Sequence, residues 1–255
     1  MKNFQGYLDT VKLTVPDNVR NNYPFNIPCI QNIDKISFHP KVTYLIGENG
    51  MGKSTLMEAI AVSLGFNAEG GTKNFNFNTQ ATHSNLTDYL RISRGPYRMK
   101  DGFFLRGESF YNVASQIDKL DKEGMGPPIK DSYGGKSLHE QSHGESFWSV
   151  FMHRFGGDGL YMLDEPESAL SVTRQMAMLV RINKLVNKRS QFIIATHSPI
   201  ILAYPNALIY QLTPEGIAKV NYKETDAYQL YKRFLDDPHK MTSMLLDDSE
   251  DDEFE

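Results

Sequence analysis

One stretch limits the fold of this chain more than any other. The apolar run Val42-Thr43-Tyr44-Leu45-Ile46 leads into Gly47-Glu48-Asn49-Gly50-Met51-Gly52-Lys53-Ser54-Thr55, and Leu56-Met57-Glu58-Ala59-Ile60-Ala61-Val62 follows. A buried strand, a glycine-rich loop and a helix in that order satisfy the pattern G-x-x-x-x-G-K-[ST] in the context that gives it meaning. Glycines let the backbone turn so that successive N–H groups and the first turn of a helix face one anion, and Lys53 adds a mobile positive charge. Gly47, Glu48, Asn49, Gly50, Met51, Gly52, Lys53, Ser54 and Thr55 are therefore expected to cradle a polyphosphate. The Ser54 hydroxyl is expected to reach Mg²⁺, with Thr55 just behind it. Average residue frequencies give such a match by chance in about 1% of chains this long, and the flanking strand and helix make it rarer.

The chain has 255 residues, 40% of them hydrophobic, so it can bury a sizeable core. A net charge of -4 supplies no global field for nucleic acid or anionic lipid, although a local basic groove stays open. Cys29 is the single cysteine, which excludes an internal disulfide and fits a reducing cytosol. No run reaches the apolar length of a membrane span, and Met1-Lys2-Asn3-Phe4-Gln5-Gly6 lacks the apolar segment of a signal peptide. A cytoplasmic protein is expected.

Along the chain, alternation predicts a strand over 7–15, and two prolines demote 23–28 to an edge or loop. Further strands are expected over 33–38 and 42–46, and a helix from Lys53 to near Gly65. Residues 66–85 read as turns and short edge strands, 89–94 and 102–106 as strands, and 110–120 as a helix. The glycine- and proline-rich stretch 121–135 reads as a mobile loop. A helix over 147–155, a buried strand over 160–163, a long helix over 169–188 and a buried strand over 192–195 come next. A hairpin around Pro214-Glu215-Gly216, a helix over 225–235 and an acidic, disordered tail over 247–255 complete the reading.

A phosphate loop needs a carboxylate partner, and Leu160-Tyr161-Met162-Leu163-Asp164-Glu165 offers one. Asp164 at the strand tip can hold the Mg²⁺ shell, and Glu165 can polarise water for in-line attack on a γ-phosphate. The order of these parts resembles the ATP-binding cassette (ABC) superfamily, in particular its soluble branches related to chromosome-maintenance and DNA-repair ATPases. Gly47 to Thr55, with Asn49, looks like that family's phosphate loop. Gln141-Ser142-His143-Gly144-Glu145 matches the signature L-S-G-G-Q in part: Ser142 and Gly144 fall on its serine and second glycine, while His143 and Glu145 depart from it. Glu167-Ser168-Ala169-Leu170-Ser171 resembles the D-loop, and Thr196-His197-Ser198 the switch-histidine loop.

The resemblance implies an α/β P-loop NTPase fold, with an ABC-type core, an antiparallel edge and a helical signature lobe. The core would take 1–105 and 156–246, and the lobe 106–155. It implies ATP and Mg²⁺ as ligands and an ATP-dependent head-to-tail homodimer, in which Ser142 and Gly144 of one copy close over the nucleotide of the other. Lys53, Glu165 and His197 carry the catalytic roles, and Ser54 and Asp164 hold the metal. The family's Q-loop glutamine is missing: Arg106-Gly107-Glu108 stands there, so Glu108 is the expected metal contact, with Gln80 an earlier candidate. The adenine-stacking aromatic is expected at Tyr23 or Phe25. An ATPase that switches a partner protein is the leading reading. A transporter's nucleotide-binding subunit and a DNA-associated clamp-type ATPase are the alternatives. His139-Glu140-Gln141-Ser142-His143 also fits the zinc-protease pattern H-E-x-x-H, which needs both histidines on one helix.

Overall fold

The computed structural model describes residues 4–73, 84–107, 110–123, 131, 133, 135 and 137–246. Its strands are β1 (Leu8–Leu13), β2 (Lys35–Ser37), β3 (Val42–Ile46), β4 (Leu90–Arg94), β5 (Asp101–Arg106), β6 (Gly159–Asp164), β7 (Gln191–Ala195), β8 (Leu208–Thr213) and β9 (Gly216–Val220). Its helices are α1 (Pro28–Gln31), α2 (Lys53–Ser63), α3 (Phe110–Glu123), α4 (His143–Ser149), α5 (Val172–Val186), α6 (Asp226–Asp236) and α7 (Pro238–Leu246).

Six strands form the central sheet in the order β5-β6-β7-β3-β8-β9, parallel from β5 to β8, with β9 returning antiparallel. Every residue of β3, β6 and β7 is buried, as a parallel sheet covered on both faces requires. The pleat divides their side chains between two cores. Tyr44, Tyr161, Leu163, Phe192 and Ile194 face α3, α4 and α5, while Leu45, Leu160, Met162, Ile193 and Ala195 face α2. A second, antiparallel sheet, β2-β1-β4, lies beyond α2 and shares the second core with it. Caught between two sheets, α2 has Leu56, Met57, Ala59, Ile60 and Ala61 buried, so it is apolar around most of its circumference.

Strand register puts the chemistry at one edge. Leu45 pairs with Ala195 and Asp164 with Ala195, so the carboxyl ends of β3, β6 and β7 emerge together, and Arg106 at the end of β5 pairs with Asp164. Ligands of open parallel sheets bind at this edge.

Several boundaries differ from the sequence reading. The helix expected over 147–155 begins at His143, because Ser142 caps it, and its last turn, Val150–Arg154, is π-wound. Part of the expected loop 121–135 is helical, since α3 runs through Glu123. Residues 124–130 of that loop, residues 74–83 with Gln80, and the acidic tail 247–255 lie outside the described residues. Two helices were not anticipated: α1 and α7 open on Pro28 and Pro238, residues that read as breakers but fit a first helical turn, where the missing N–H has no partner to lose.

Candidate functional site

The loop between β3 and α2 is held by glycines that accept no side chain. Gly47 sits at φ +147, and a Cβ there would lie 2.6 Å from the Leu212 carbonyl oxygen. Gly52 caps α2 at φ +84, with Ile27 and Ile30 3.2 Å from where a Cβ would be. Lys53 is buried, and its Nζ donates to the carbonyl oxygens of Gly47 at 2.8 Å and Glu48 at 2.9 Å, so the ammonium folds back over its own loop. Burial pushes the Lys53 pKa below the ordinary lysine value, while the carboxylates of Glu165, Asp164 and Glu167 pull the other way.

Asp164, at the tip of β6, is 5% exposed. The Ser54 hydroxyl donates to its Oδ1 at 3.2 Å. Its Oδ2 faces Arg106 Nε at 3.6 Å, and Arg106 Nη1 meets Glu58 Oε2 of α2 at 2.7 Å. The next residue, Glu165, takes the left-handed conformation at φ +48, uncommon for a side chain of its size, and its N–H donates to the Ala195 carbonyl at 2.9 Å. That bend points its carboxylate at His197, with Oε1 3.5 Å from Nε2. Glu167 braces the loop carrying His197: it accepts the Thr196 hydroxyl at 2.7 Å and the His197 N–H at 2.5 Å. Ser198 in the same loop donates to Gln175 of α5 at 2.6 Å.

A cleft of about 470 Å³ lies over the loop, lined by Tyr23, Asn49, Lys53, Ser54, Thr55 and Glu165 among others. Tyr23 is exposed at its mouth, whereas Phe25 is fully buried with its ring edge-on to Tyr89, so of the two aromatic candidates only Tyr23 borders the cleft. A second cleft, of about 630 Å³, lies between Gly47, Glu48 and His197 on one side and α6 on the other.

Ser142 and Gly144 line neither cleft of their own chain. Ser142 caps α4 in a capping box: its hydroxyl accepts the Glu145 N–H at 3.3 Å and donates to the Glu145 carboxylate at 2.7 Å. Gly144 packs against the segment after β6, where a Cβ would lie 2.5 Å from the Ala169 carbonyl oxygen. Ser142, His143 and Glu145 face solvent. Glu108, the expected Q-loop contact, lies outside the described residues.

The H-E-x-x-H reading is corrected. His139 and Glu140 end a 3-10 turn, Gln141 and Ser142 are extended, and His143 opens a new helix, so the two histidines do not share a helical face. His139 Nε2 is 3.1 Å from the Ser115 hydroxyl, and the His143 ring packs edge-on to Phe110. Among the described residues no group of three or more His, Cys, Asp or Glu side chains could hold a metal ion.

The hydroxyl of Ser54 and the carboxylate of Asp164 nevertheless suit Mg²⁺, which takes hard oxygen donors and is ordinarily held by one or two carboxylates with phosphates and water making up the rest. Three participants escaped the sequence reading of the site: Arg106, Glu58 and the bracing role of Glu167. Arg106 and Glu167 stood inside stretches quoted for their resemblance to the Q-loop and the D-loop, but which strand lies beside which is not written in spacing.

A model of the AAA domain family matches residues 25–124, which include the loop, α2 and β5. No curated protein matches the chain. Similar solved structures include the SMC head domain from Thermotoga maritima, at 16% identity over 84% of this chain and 99% of that one, with a TM-score of 0.46. CbiO1 from Clostridium perfringens, part of an ABC transporter complex, is 18% identical over 94% of this chain and all 100% of its own, with a TM-score of 0.49. At these identities and scores the likeness is one of outline. Among the described residues no helix is long and apolar enough to cross a membrane. With its glycine loop between β3 and α2, its strand-end carboxylates beside that loop and its AAA-domain match over residues 25–124, this chain has a mixed α/β P-loop NTPase fold.

Proposed function

We propose that the protein binds Mg-ATP in the cleft over the 47–55 loop and hydrolyses it at a head-to-tail interface between two copies. The observation that carries this reading is the meeting of Ser54 with Asp164 at 3.2 Å and of Glu165 with His197 at 3.5 Å along one edge of the sheet. Lys53 leaves the carbonyls of Gly47 and Glu48 for the phosphate oxygens, and the loop N–H groups share the remaining charge. Tyr23 packs against the base. Ser54 and Asp164 would hold Mg²⁺, which would supply positive charge against the phosphates. Glu165 takes a proton from a water as its oxygen bonds to the γ-phosphorus. The bond from that phosphorus to the bridging oxygen breaks, and ADP departs with the electron pair. His197 holds the water and the γ-phosphate in line.

The open geometry supports a requirement for a second copy. The side chains of Glu165 and His197 are 41% and 42% exposed, so within one chain the reacting centre is wet. Phosphoryl transfer gains from excluded water and added donors. Ser142 and Gly144, at the solvent-facing start of α4, are the groups that a partner copy would bring. The dimer then acts as a nucleotide-driven switch for a partner protein. Leu230, Tyr231 and Leu235, exposed on α6 beside His197, give such a partner a surface next to the nucleotide. Cys29, buried and unbridged, suits the reducing cytoplasm where we place the protein.

Calorimetry and light scattering test the reading. Lys53→Ala is expected to abolish nucleotide uptake. Glu165→Gln is expected to bind Mg-ATP and accumulate as a dimer, and a variant that stays monomeric at saturating Mg-ATP would refute the two-copy site.

A further inference from the structure

Arg106 is a largely buried charge beside the site to which the proposed hydrolysis assigns no role. It closes β5, in register with Asp164 of β6. Its side chain is 15% exposed, and those of Glu58 and Asp164 are 17% and 6% exposed, so this is a partly buried chain of acid, base and acid. Burying three charges is costly unless their geometry is useful.

The geometry is directional. Asp164 has two oxygens with different neighbours: Oδ1 faces the Ser54 hydroxyl, and Oδ2 faces Arg106. Glu58 and the Ala68 carbonyl, 3.3 Å from Nη1, fix the guanidinium from the far side. Rotating the carboxylate would take Oδ2 from Arg106 and Oδ1 from Ser54 together. Removing partners that orient a metal ligand in this way typically costs about 10- to 100-fold in metal affinity or activity.

We propose that Arg106, braced by Glu58, is a positioning residue that holds the Asp164 carboxylate with one oxygen turned toward Ser54 and the divalent cation. This rests on the Mg-nucleotide reading of the cleft. Arg106 could act in a second way, since its positive charge repels a cation nearby, and the two roles predict opposite signs. Positioning means that removing Arg106 weakens metal binding; charge alone means that removing it strengthens metal binding.

The test compares ADP affinity by calorimetry in Mg²⁺ and in EDTA, so that the ratio reports the metal and no turnover is needed. The variants are Arg106→Gln and the double variant Glu58→Gln with Arg106→Gln. The double variant removes one charge of each sign, leaves the net charge unchanged and strands no carboxylate at Glu58, so that Asp164 alone of the two acids loses its counter-charge and the variant remains informative where the single one folds poorly. The Mg²⁺-to-EDTA ratio is expected to fall about 10- to 100-fold in both, with affinity in EDTA within about twofold of the parent, because the loop and Lys53 set it. An unchanged ratio in the double variant, a raised ratio in Arg106→Gln, or a loss in EDTA as large as that in Mg²⁺ would each overturn the proposal. A parent protein that takes up ADP equally well with and without Mg²⁺ would refute the metal role of Ser54 and Asp164 itself, a result distinct from all three.

Discussion

Glu167 makes two short hydrogen bonds to the loop that carries His197, and its removal has a calculable consequence. Glu167→Ala deletes the acceptor for the Thr196 hydroxyl at 2.7 Å and for the His197 N–H at 2.5 Å. Hydrogen bonds to a charged group contribute about 1.5–3 kcal/mol each when well buried. Glu167 is half-buried and His197 is exposed, so water replaces part of what is lost, and the pair shares one carboxylate. About 2 kcal/mol is expected for both, which for a domain of this size lowers Tm by about 4–8 °C. Glu167→Gln should lose about half of that, because the amide oxygen still accepts from His197 and its NH₂ can donate to the Thr196 hydroxyl. Nucleotide affinity, set across the cleft by Lys53 and the loop, should hold in both variants, while turnover falls as His197 loses its fixed place. Thermal unfolding, calorimetry and steady-state phosphate release measure the three. If Glu167→Ala melted within about 1 °C of the parent, or lost nucleotide binding along with turnover, the bracing role would be refuted.

Gly47→Ala places a methyl 2.6 Å from a backbone carbonyl at φ +147, so the loop must move; lost nucleotide uptake with about 1–3 kcal/mol of destabilisation is expected by calorimetry and melting. Tyr44→Phe removes the donor to the fully buried Ile201 carbonyl, 2.6 Å away, and should cost about 1–3 kcal/mol in chemical unfolding without touching nucleotide affinity. Burial pushes the Cys29 thiol up to about 11 and the hydroxyls of Tyr7 and Tyr133 up to about 12. The folded state then holds protons that the unfolded chain releases, so stability is fully present below the unfolded values of 9.0 for the thiol and 10.0 for the phenols and is lost as pH rises through about 11 and 12. Denaturant midpoints flat to pH 9 and falling beyond it would bear this out, and native Cys29 should resist alkylation at pH 8 until the chain unfolds.

Much of the fold was legible because its signals are local. β3, β6 and β7 are short continuous apolar runs bounded by turns, as strands covered on both faces must be, and the hairpin announced itself through Pro214-Glu215-Gly216. The burial of α2 between two sheets agrees with its apolar stretches Leu56-Met57 and Ala59-Ile60-Ala61-Val62. What stayed hidden depends on pairing. Nothing in the spacing of Arg106 and Asp164 says that β5 lies beside β6, so an arginine read as the neighbour of Glu108 turned out to face the Asp164 carboxylate. Helix α7 stayed hidden for the opposite reason: Asp237, which accepts the Lys240 N–H at 3.0 Å, and Pro238 can start a helix, but the same pair also reads as a turn.

The partial signature was legible in a second way that bears on how two copies could close. Ser142-His143-Gly144-Glu145 departs from L-S-G-G-Q, yet it is also a Ser-x-x-Glu capping box, and that is the local structure it forms. Serine and glycine answer both demands: the hydroxyl caps α4 in its own chain and faces outward, and the missing Cβ of Gly144 lets α4 approach Ala169. Glutamate answers only one. Its carboxylate already occupies the Ser142 hydroxyl and the positive end of α4, the same donors that a γ-phosphate from a second copy would need. An approaching triphosphate must therefore displace or repel Glu145, whereas a glutamine could keep the box and carry no charge. Replacing Glu145 with Gln should tighten the nucleotide-dependent dimer while leaving the monomer's stability nearly unchanged, which separates the cap's local role from its role across the interface.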